Sequence, residues 1–359
     1  MSSVWNNKIS VSVFGEAQSS AIGVNINNLP AGEYIDVKSI RNFMSRTLIN
    51  NSRENVMPHV ISGIMNNYTT GAPLCAFIQN YSPEPLLPAQ NLDRLARCGH
   101  ADYTGAVRYR GFNDVRDGGH LSDRLTIPVC FAGAVCGQIL ERRGIYTGSH
   151  IVRIHKIKDH LFDPVNLSRE DIINIRNKDF PVINDDNAVL MYEEIERIHK
   201  KGDSVGGIVE CGIINLPAGI GSPVFDGLQN TISQLVFSLP AVTGIEFGAG
   251  FRATFMTGST FNDDFYVDNH GHVQTETNNH GGILGGISSG MPIIFRIALR
   301  PNPTIAKEQK TVDMHELKEK TFTSGTDYNP CTVMRYLPCI EAVTNIAILT
   351  HMLEYPDFC

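Results

Sequence analysis

A block of eighteen residues occurs twice in this chain, and the repeat constrains the fold more than any other feature. GEAQSSAIGVNINNLPAG spans residues 15–32 and GDSVGGIVECGIINLPAG spans residues 202–219, at a constant offset of 187 without gaps. Seven of the eighteen positions are identical, and both copies end in Leu-Pro-Ala-Gly. A second pair of segments shares Gly-x-Pro, at residues 71–73 and 290–292. The two halves of the chain therefore repeat one plan.

The repeated plan predicts a strand, a Leu-Pro-Ala-Gly turn, a helix, and another strand introduced by Gly-x-Pro. The helices are expected over residues 36–48 and 223–239, the second of which has apolar residues at helical spacing. Two copies of a strand-helix-strand plan predict an α+β protein. We interpret residues 1–359 as one domain built from two related halves, about 1–190 and 191–359. A functional site is expected where the halves meet, because clefts form at such junctions.

Charge and apolar content argue against several classes of function. The net charge of −7 argues against nucleic-acid binding. No apolar run approaches the length of a membrane span and residues 1–12 lack a signal-peptide segment, so a cytoplasmic protein without a membrane partner is expected. The eight cysteines form no CxxC pair, and no metal site is predicted. The charged residues of segment 307–320 indicate a solvated surface segment.

Several long segments carry a more specific signal, in order along nearly the whole chain. They include GHADYTGAVRYRG at residues 99–111, NLPAGIGSPVFD at 215–226, NNHGGILGGISSGMPI at 278–293 and RPNPTIAKEQKTVD at 300–313. These segments closely resemble the chorismate synthase family. The resemblance implies a β-α-β sandwich fold, a homotetramer, and reduced FMN as cofactor, with NADPH as a candidate reductant. The implied reaction is the 1,4-elimination of phosphate from 5-enolpyruvylshikimate 3-phosphate, which gives chorismate without net redox change.

The resemblance assigns catalytic roles to three positions, and two of them are substituted. His100 keeps the histidine of the Gly-His-Ala-Asp motif, and Asp102 is a candidate to orient it. Gln18 stands where the family's Gly-Glu-Ser-His-Gly turn has histidine, and Asn329 stands where its Gly-Arg-His-Asp-Pro-Cys motif has aspartate. Glutamine and asparagine form hydrogen bonds but do not titrate near neutral pH.

The resemblance also implies two sets of binding residues. The expected cofactor contacts are His120, Leu121, Ser122, Pro240, Ala241, Gly285, Arg300, Pro301, Asn302, Pro303 and Thr304. The expected contacts to the small anionic substrate are Arg46, Arg53, Arg124 and Arg335. New carboxylates accompany them, including Asp117 and Asp123, which would oppose the binding of an anion.

These substitutions leave three interpretations. The chain is a working chorismate synthase in which His100 and solvent carry the protons, with its activity lowered by the substitutions. Alternatively, it is a divergent enzyme for a less anionic substrate, or a non-catalytic homologue that binds a partner or assembles.

Overall fold

The computed structural model describes residues 3–47, 58–80 and 94–355. The strands of these ranges, in chain order, are β1 Val4–Asn6, β2 Ser10–Phe14, β3 Ala21–Asn27, β4 His59–Ser62, β5 Ile64–Met65, β6 Tyr68–Thr69, β7 Leu74–Gln79, β8 Tyr146–Ile154, β9 Ile157–Lys158, β10 Gly207–Ile214, β11 Val242–Phe247, β12 Phe265–Val267, β13 Val273–Thr275, β14 Ile283–Leu284, β15 Ile287–Ser288, β16 Ile293–Leu299, β17 Gln309–Asp313 and β18 Lys318–Phe322. The α-helices are α1 Val37–Ser45, α2 Asp102–Tyr109, α3 Thr126–Arg142, α4 Arg169–Arg176, α5 Asp185–His199, α6 Leu228–Val236, α7 Gly258–Phe261 and α8 Val333–Glu354. Short 3-10 helices cover Arg116–Leu121, Asp123–Leu125 and Gly250–Phe255.

Two five-stranded antiparallel sheets form the outer layers of the protein. The strand order is β1-β2-β3-β7-β4 in the first sheet and β11-β16-β10-β8-β9 in the second. Within each sheet, the strand of the repeated block lies in the centre: β3 in the first and β10 in the second. Apolar side chains of these central strands are fully buried, as expected for strands that face a core.

The two halves form the same local structure around the Leu-Pro-Ala-Gly turn. The amide of Gly32 donates to the carbonyl oxygen of Thr69 at 2.8 Å, and that of Gly219 donates to Ser288 at 2.9 Å. The hydroxyls of this threonine and serine both donate to the carbonyl oxygen of the turn's proline, at 2.5 Å. The internal duplication is therefore present in hydrogen bonding as well as in sequence. Strands β8 and β9 belong to the second sheet but precede residue 190 in the chain. The boundary between the two halves near residue 190 therefore stays a prediction.

Helices α3 and α8 form the layer between the sheets. Helix α3 packs on β2, β3 and β7, α8 packs on β8 and β10, and the two helices pack on each other. They approach so closely that a Cβ added at Gly133 would lie 2.2 Å from the Cα of Ala342. Helices that are apolar on all sides, like α8, are buried in a core.

The expectation that no apolar segment reaches the length of a membrane span was wrong. Arg116–Arg142 and Val333–Glu354 are both long and apolar enough to cross a membrane. However, 78% and 94% of their most apolar windows are buried inside the protein, which is the behaviour of core helices.

Both helices predicted from the repeat exist, but they are shorter than expected. Helix α1 begins after Asp36, whose carboxylate accepts from the amide of Lys38 at 2.9 Å, and it ends at Ser45. Helix α6 begins only at Leu228, because the preceding residues form a turn in which Val224 has a φ of 65°. Residues 223–227 therefore position the start of the helix and are not part of it.

Candidate functional site

The turn that carries Gln18 packs against the loop of residues 116–121. The amide of Ala17 donates to the carbonyl oxygen of Gly119 at 3.0 Å. His120 contacts the same turn, with Nδ1 3.0 Å from the carbonyl oxygen of Gly15, and its Nε2 lies 2.7 Å from the Ser3 hydroxyl. A carbonyl oxygen only accepts, so Nδ1 of His120 carries a proton. The structure thus joins two predicted site segments that are about a hundred residues apart in the chain.

A cavity of about 340 Å³ opens between this turn and the end of α2. Its lining includes Glu16, Tyr109, Phe112, His120 and Leu121, so two of the predicted cofactor residues face it. Within the described ranges, the buried hydroxyl of Tyr109 has no hydrogen-bond partner. The buried Oδ1 of another lining residue, Asn113, also has none there. Unpaired buried polar groups beside aromatic side chains are typical of a ligand pocket.

A β-hairpin formed by β17 and β18 positions the segment that carries His100. This hairpin covers most of segment 307–320, and most side chains of that segment are exposed, so the expectation of a solvated surface segment is confirmed. The amide of Ala96 donates to Val312 at 3.3 Å, and the thiol of Cys98 donates to the carbonyl oxygen of Lys310 at 2.8 Å. The hairpin therefore fixes the backbone immediately before His100.

His100 is held in one protonation pattern by two neighbours. Its Nδ1 lies 3.1 Å from the carbonyl oxygen of Cys98, and its Nε2 lies 3.2 Å from the hydroxyl of Thr304. Because the carbonyl only accepts, Nδ1 carries a proton, and Nε2 of the neutral ring accepts from the threonine. Burial and the nearby Arg97 lower the pKa of His100 below its ordinary value, so the neutral ring predominates at neutral pH.

Asp102 does not orient His100, contrary to the expectation from sequence. Its carboxylate accepts from Nε and Nη2 of Arg97 at 2.8 and 2.9 Å, and also from the amide of Arg97. This bidentate pairing uses the geometry that a guanidinium and a carboxylate prefer. Asp102 therefore anchors Arg97 beside the imidazole, while the Cys98 carbonyl and Thr304 orient the ring itself.

Segment 300–304 links several predicted site residues. Arg300 donates from Nη1 to the carbonyl oxygen of Gly99 at 2.6 Å, and its amide donates to Ala241 at 2.9 Å. A side chain at Gly99 would collide with Pro303, since an added Cβ would lie 2.6 Å from that ring and φ is +70°. Segment 300–304 thus directly contacts both the histidine motif and Ala241.

Asn329 lies at the far end of this chain of contacts. Its backbone carbonyl accepts from Nδ2 of Asn302 at 2.9 Å. Its side-chain Oδ1 accepts from the amide of Cys331 at 3.0 Å, which stabilises the turn before α8. The hydrogen bonds of the described residues connect Asn329 to His100 only through segment 300–304.

Arginines and new carboxylates share one cluster at the start of α8. Nη1 of Arg335 donates to Oδ2 of Asp123 at 2.9 Å. Burial and the charge of Asp123 raise the pKa of Asp117, while Arg97, Arg124 and Arg335 oppose that rise. Ser122, a predicted cofactor residue, accepts from the amide of Arg124 through its hydroxyl at 3.4 Å. The predicted anion site therefore contains its own carboxylates.

Arg46 contributes its charge to the core. Its Nη1 and Nη2 donate to the two oxygens of Glu341, at 2.6 and 2.8 Å, and the Glu341 side chain is fully buried. Burial alone would raise the pKa of Glu341, but Arg46, Arg176 and the Ser149 hydroxyl outweigh it and hold the pKa below its ordinary value. Two of the three guanidinium nitrogens of Arg46 are thus engaged with Glu341, and its contact with substrate stays a prediction. Arg53 lies outside the described residues.

Gly285 forms part of the turn between β14 and β15, with a φ of 61°. The next residue, Gly286, accepts from the amide of Leu228 at the start of α6. Among the described residues no hydrogen bond connects this turn to His100 or His120, so its role in cofactor binding stays a prediction. No cluster of three or more His, Cys, Asp or Glu side chains suited to a metal ion occurs in the ranges that the structure describes.

Several residues of this region are not predicted by the sequence. Tyr109 and Asn113 line the cavity, Arg97 lies beside His100, and Glu341 neutralises Arg46. Only Arg97 has a local signal, because it precedes the Gly-His-Ala-Asp motif by two residues. The partnership with Glu341 spans 295 positions of sequence and leaves no local pattern.

Comparison with known proteins identifies the relatives of this chain. The chorismate synthase family model matches residues 9–353. The chorismate synthase of Thermococcus gammatolerans is 38% identical over 356 residues, covering 96% of each chain. That of Korarchaeum cryptofilum is 35% identical and covers 98% of this chain and 97% of its own. A crystal structure of chorismate synthase matches with a TM-score of 0.76 and 23% identity, over 96% of this chain and 92% of the other. The predicted α+β sandwich fold is thereby confirmed.

Proposed function

This chain belongs to the chorismate synthase family, and we propose that it is a lyase that converts 5-enolpyruvylshikimate 3-phosphate to chorismate with reduced FMN as cofactor. The observation that carries this proposal is the neutral imidazole of His100, which two hydrogen bonds hold in place near Arg97 and Arg300. A 1,4-elimination removes a proton and a phosphate from the same substrate. The site must therefore handle a proton and bind a polyanion, and this region offers groups for both.

His100 is the group that we assign to proton handling. Its Nε2 carries the lone pair of the neutral ring, which accepts a hydrogen bond from the hydroxyl of Thr304, 3.2 Å away. A proton taken up at Nε2 would be shared with that hydroxyl, since Nδ1 is already bound to the Cys98 carbonyl. A positioned acid–base group of this kind accelerates proton transfer by about 10²- to 10⁴-fold. Asn329 makes hydrogen bonds, but neither Gln18 nor Asn329 adds a titratable group.

The arginines are the groups that we assign to binding of the anionic substrate. Arg335 and Arg124 lie in one electrostatic cluster with Arg97, and Arg300 lies against the His100 segment. Guanidinium groups bind phosphate and carboxylate oxygens in a bidentate geometry. Asp123 occupies one of these arginines, so substrate must compete with it.

We propose the cavity beside His120 as the flavin site, because two of the predicted cofactor residues line it. His120 and Leu121 line it together with Tyr109 and Phe112, and the Tyr109 hydroxyl is unpaired within the described part of the chain. Backbone contacts are proposed from Pro240, Ala241 and Gly285, and further contacts from Ser122 and residues 300–304. When bound, reduced FMN supplies electron density to the substrate without net oxidation. NADPH is proposed as a source of the reducing electrons.

We further propose that the chain acts in the cytoplasm as a homotetramer. The edge strand β4 supports an assembly, because all four of its residues are exposed, among them Val60 and Ile61. An exposed apolar edge strand can pair with another chain, because its backbone donors and acceptors are open on one side. Light scattering on the purified protein, with a Val60→Lys and Ile61→Lys double variant as comparison, tests this assembly. A wild-type monomer would contradict it.

Phosphate release tests the proposed reaction. The full chain is mixed anaerobically with photoreduced FMN and 5-enolpyruvylshikimate 3-phosphate, and phosphate and chorismate are measured together. We expect equal amounts of both products with reduced FMN and none with oxidised FMN. His100→Gln should lower the rate about 10²-fold or more, whereas His160→Gln, at an exposed position, should not.

The same assay separates the two other interpretations. Flavin binding without product would point to an enzyme for another substrate. No flavin binding, measured by quenching of FMN fluorescence, would point to a non-catalytic homologue. Equal rates for His100→Gln and the unmodified chain would contradict the assigned role of His100 while leaving the reaction itself in place.

A further inference from the structure

Three side chains, separated by 17 and 9 positions in sequence, line up as carboxylate, imidazole and serine in the second half of the protein. His280 Nε2 lies 3.1 Å from the hydroxyl oxygen of Ser289, and its Nδ1 contacts Oδ2 of Asp263. The side chains of His280 and Asp263 are each only 5% exposed, while Ser289 is half-buried. This is the order of contacts in a nucleophilic triad, which is recognised by geometry and not by sequence position.

Asp263 is fixed as a charged acceptor by its surroundings. It accepts from the hydroxyl of Thr277 at 2.5 Å, from the amide and side chain of Asn279 at 2.8 and 3.0 Å, and from the amide of His280 at 3.0 Å. Burial alone would raise its pKa, but these bonds outweigh burial and lower the pKa to about 2. A carboxylate at neutral pH only accepts, so Nδ1 of His280 carries the proton. Nε2 is then the acceptor that faces Ser289.

The backbone around Ser289 offers a donor for a developing oxyanion. The amide of Ser289 is engaged with the carbonyl oxygen of Gly282 at 2.9 Å. The amide of the following residue, Gly290, makes no hydrogen bond to any residue that the structure describes. In α/β-hydrolases, the amide of the residue after the nucleophile donates to the oxyanion. The Ser289 hydroxyl also accepts a long bond from the amide of Met291, at 3.4 Å, which fixes its orientation.

We propose that Ser289, His280 and Asp263 form a second catalytic site that hydrolyses small carboxylic esters. Oγ of Ser289 attacks the carbonyl carbon while its proton passes to Nε2 of His280. The ester C–O bond breaks, and the alcohol leaves with that proton. Water then attacks the acyl-serine, again giving a proton to His280, and releases the carboxylic acid with the serine restored. The step needs only ester and water, and Asp263 holds the imidazole in the required tautomer.

Active-site labelling tests this proposal without flavin or the lyase substrate, so its outcome is independent of the proposed lyase function. The full chain is treated with a fluorophosphonate, digested, and analysed by mass spectrometry. We expect the phosphonyl group on Ser289. A label on other serines, or no label, would overturn the proposal. Because this measurement uses the unmodified chain, it remains decisive even if variants fold poorly.

Hydrolysis of p-nitrophenyl acetate gives the second readout. Ser289→Ala and His280→Gln should each lower the rate above background by about 10²-fold or more. Ser259→Ala, at an exposed serine of α7, is the matched control and should keep the full rate. Asp263→Asn should also lower the rate, because the amide favours the wrong tautomer. Hydrolysis by the unmodified chain at the rate of free imidazole would contradict the proposal.

Discussion

Neutralising Asp123 should strengthen binding of the anionic substrate. The carboxylate of Asp123 lies 2.9 Å from Nη1 of Arg335. An anion oxygen bound to the same guanidinium would lie roughly 5 to 6 Å from that carboxylate, where the repulsion is about 0.7 kcal/mol in water and about 3 kcal/mol at an effective dielectric of ~20. The side chains of Arg335 and Asp123 are 28% and 41% exposed, so the lower part of this range applies. Asp123→Asn should therefore lower the substrate Kd about three- to tenfold.

Isothermal titration calorimetry with 5-enolpyruvylshikimate 3-phosphate measures this change. Asparagine keeps an oxygen that accepts from Arg335, so the local structure is preserved. Asp186→Asn removes the same charge from the exposed start of α5 and serves as the matched control. An unchanged or weaker Kd for Asp123→Asn, or an equal gain in the control, would refute the reasoning. The gain should also shrink in high salt.

Three further predictions concern protons and the core. Gln18→His combined with Asn329→Asp should raise the lyase rate at least about tenfold, since each restores a titratable group; a flat rate would show that these positions do not take part. The lyase rate should fall on the acid side of the pH–rate profile only as the pH drops through the lowered pKa of His100. Arg97→Gln should shift this fall in rate to higher pH, because Arg97 is one cause of the lowered pKa. A fall in rate at the same pH in both proteins would contradict this. Glu341→Gln should lower the free energy of unfolding in urea by about 3 to 5 kcal/mol, because it leaves a guanidinium without its buried partner; a loss under about 1 kcal/mol would contradict it.

The sequence alone predicted the parts of the fold that are repeated in the chain or that depend on a local residue pattern. The central strands β3 and β10 share the repeated block, and the Leu-Pro-Ala-Gly turns that follow them bind Thr69 and Ser288 in the same way. The resemblance of the surrounding segments also led to the family and to the fold. Such features depend on residues that are neighbours in sequence, so they can be recognised in a single sequence.

The parts that sequence did not predict depend on contacts across the chain. Glu341 pairs with Arg46 across 295 positions, and hairpin β17–β18 holds the His100 segment from more than two hundred positions away. Asp102 lies only two residues from His100, yet it pairs with Arg97 because a bidentate guanidinium bond is stronger than one to a neutral imidazole. Charge and sequence spacing indicate which side chains could pair, but the tertiary contacts determine which pairs form.

A crystal structure of the ternary complex with FMN and 5-enolpyruvylshikimate 3-phosphate would test the central claim most directly. We assign proton handling to Nε2 of His100. We therefore expect flavin or substrate to lie within hydrogen-bonding reach of that atom, directly or through one water, with the substrate's anionic groups against Arg335 and Arg124. Both ligands bound beyond that reach would contradict the account.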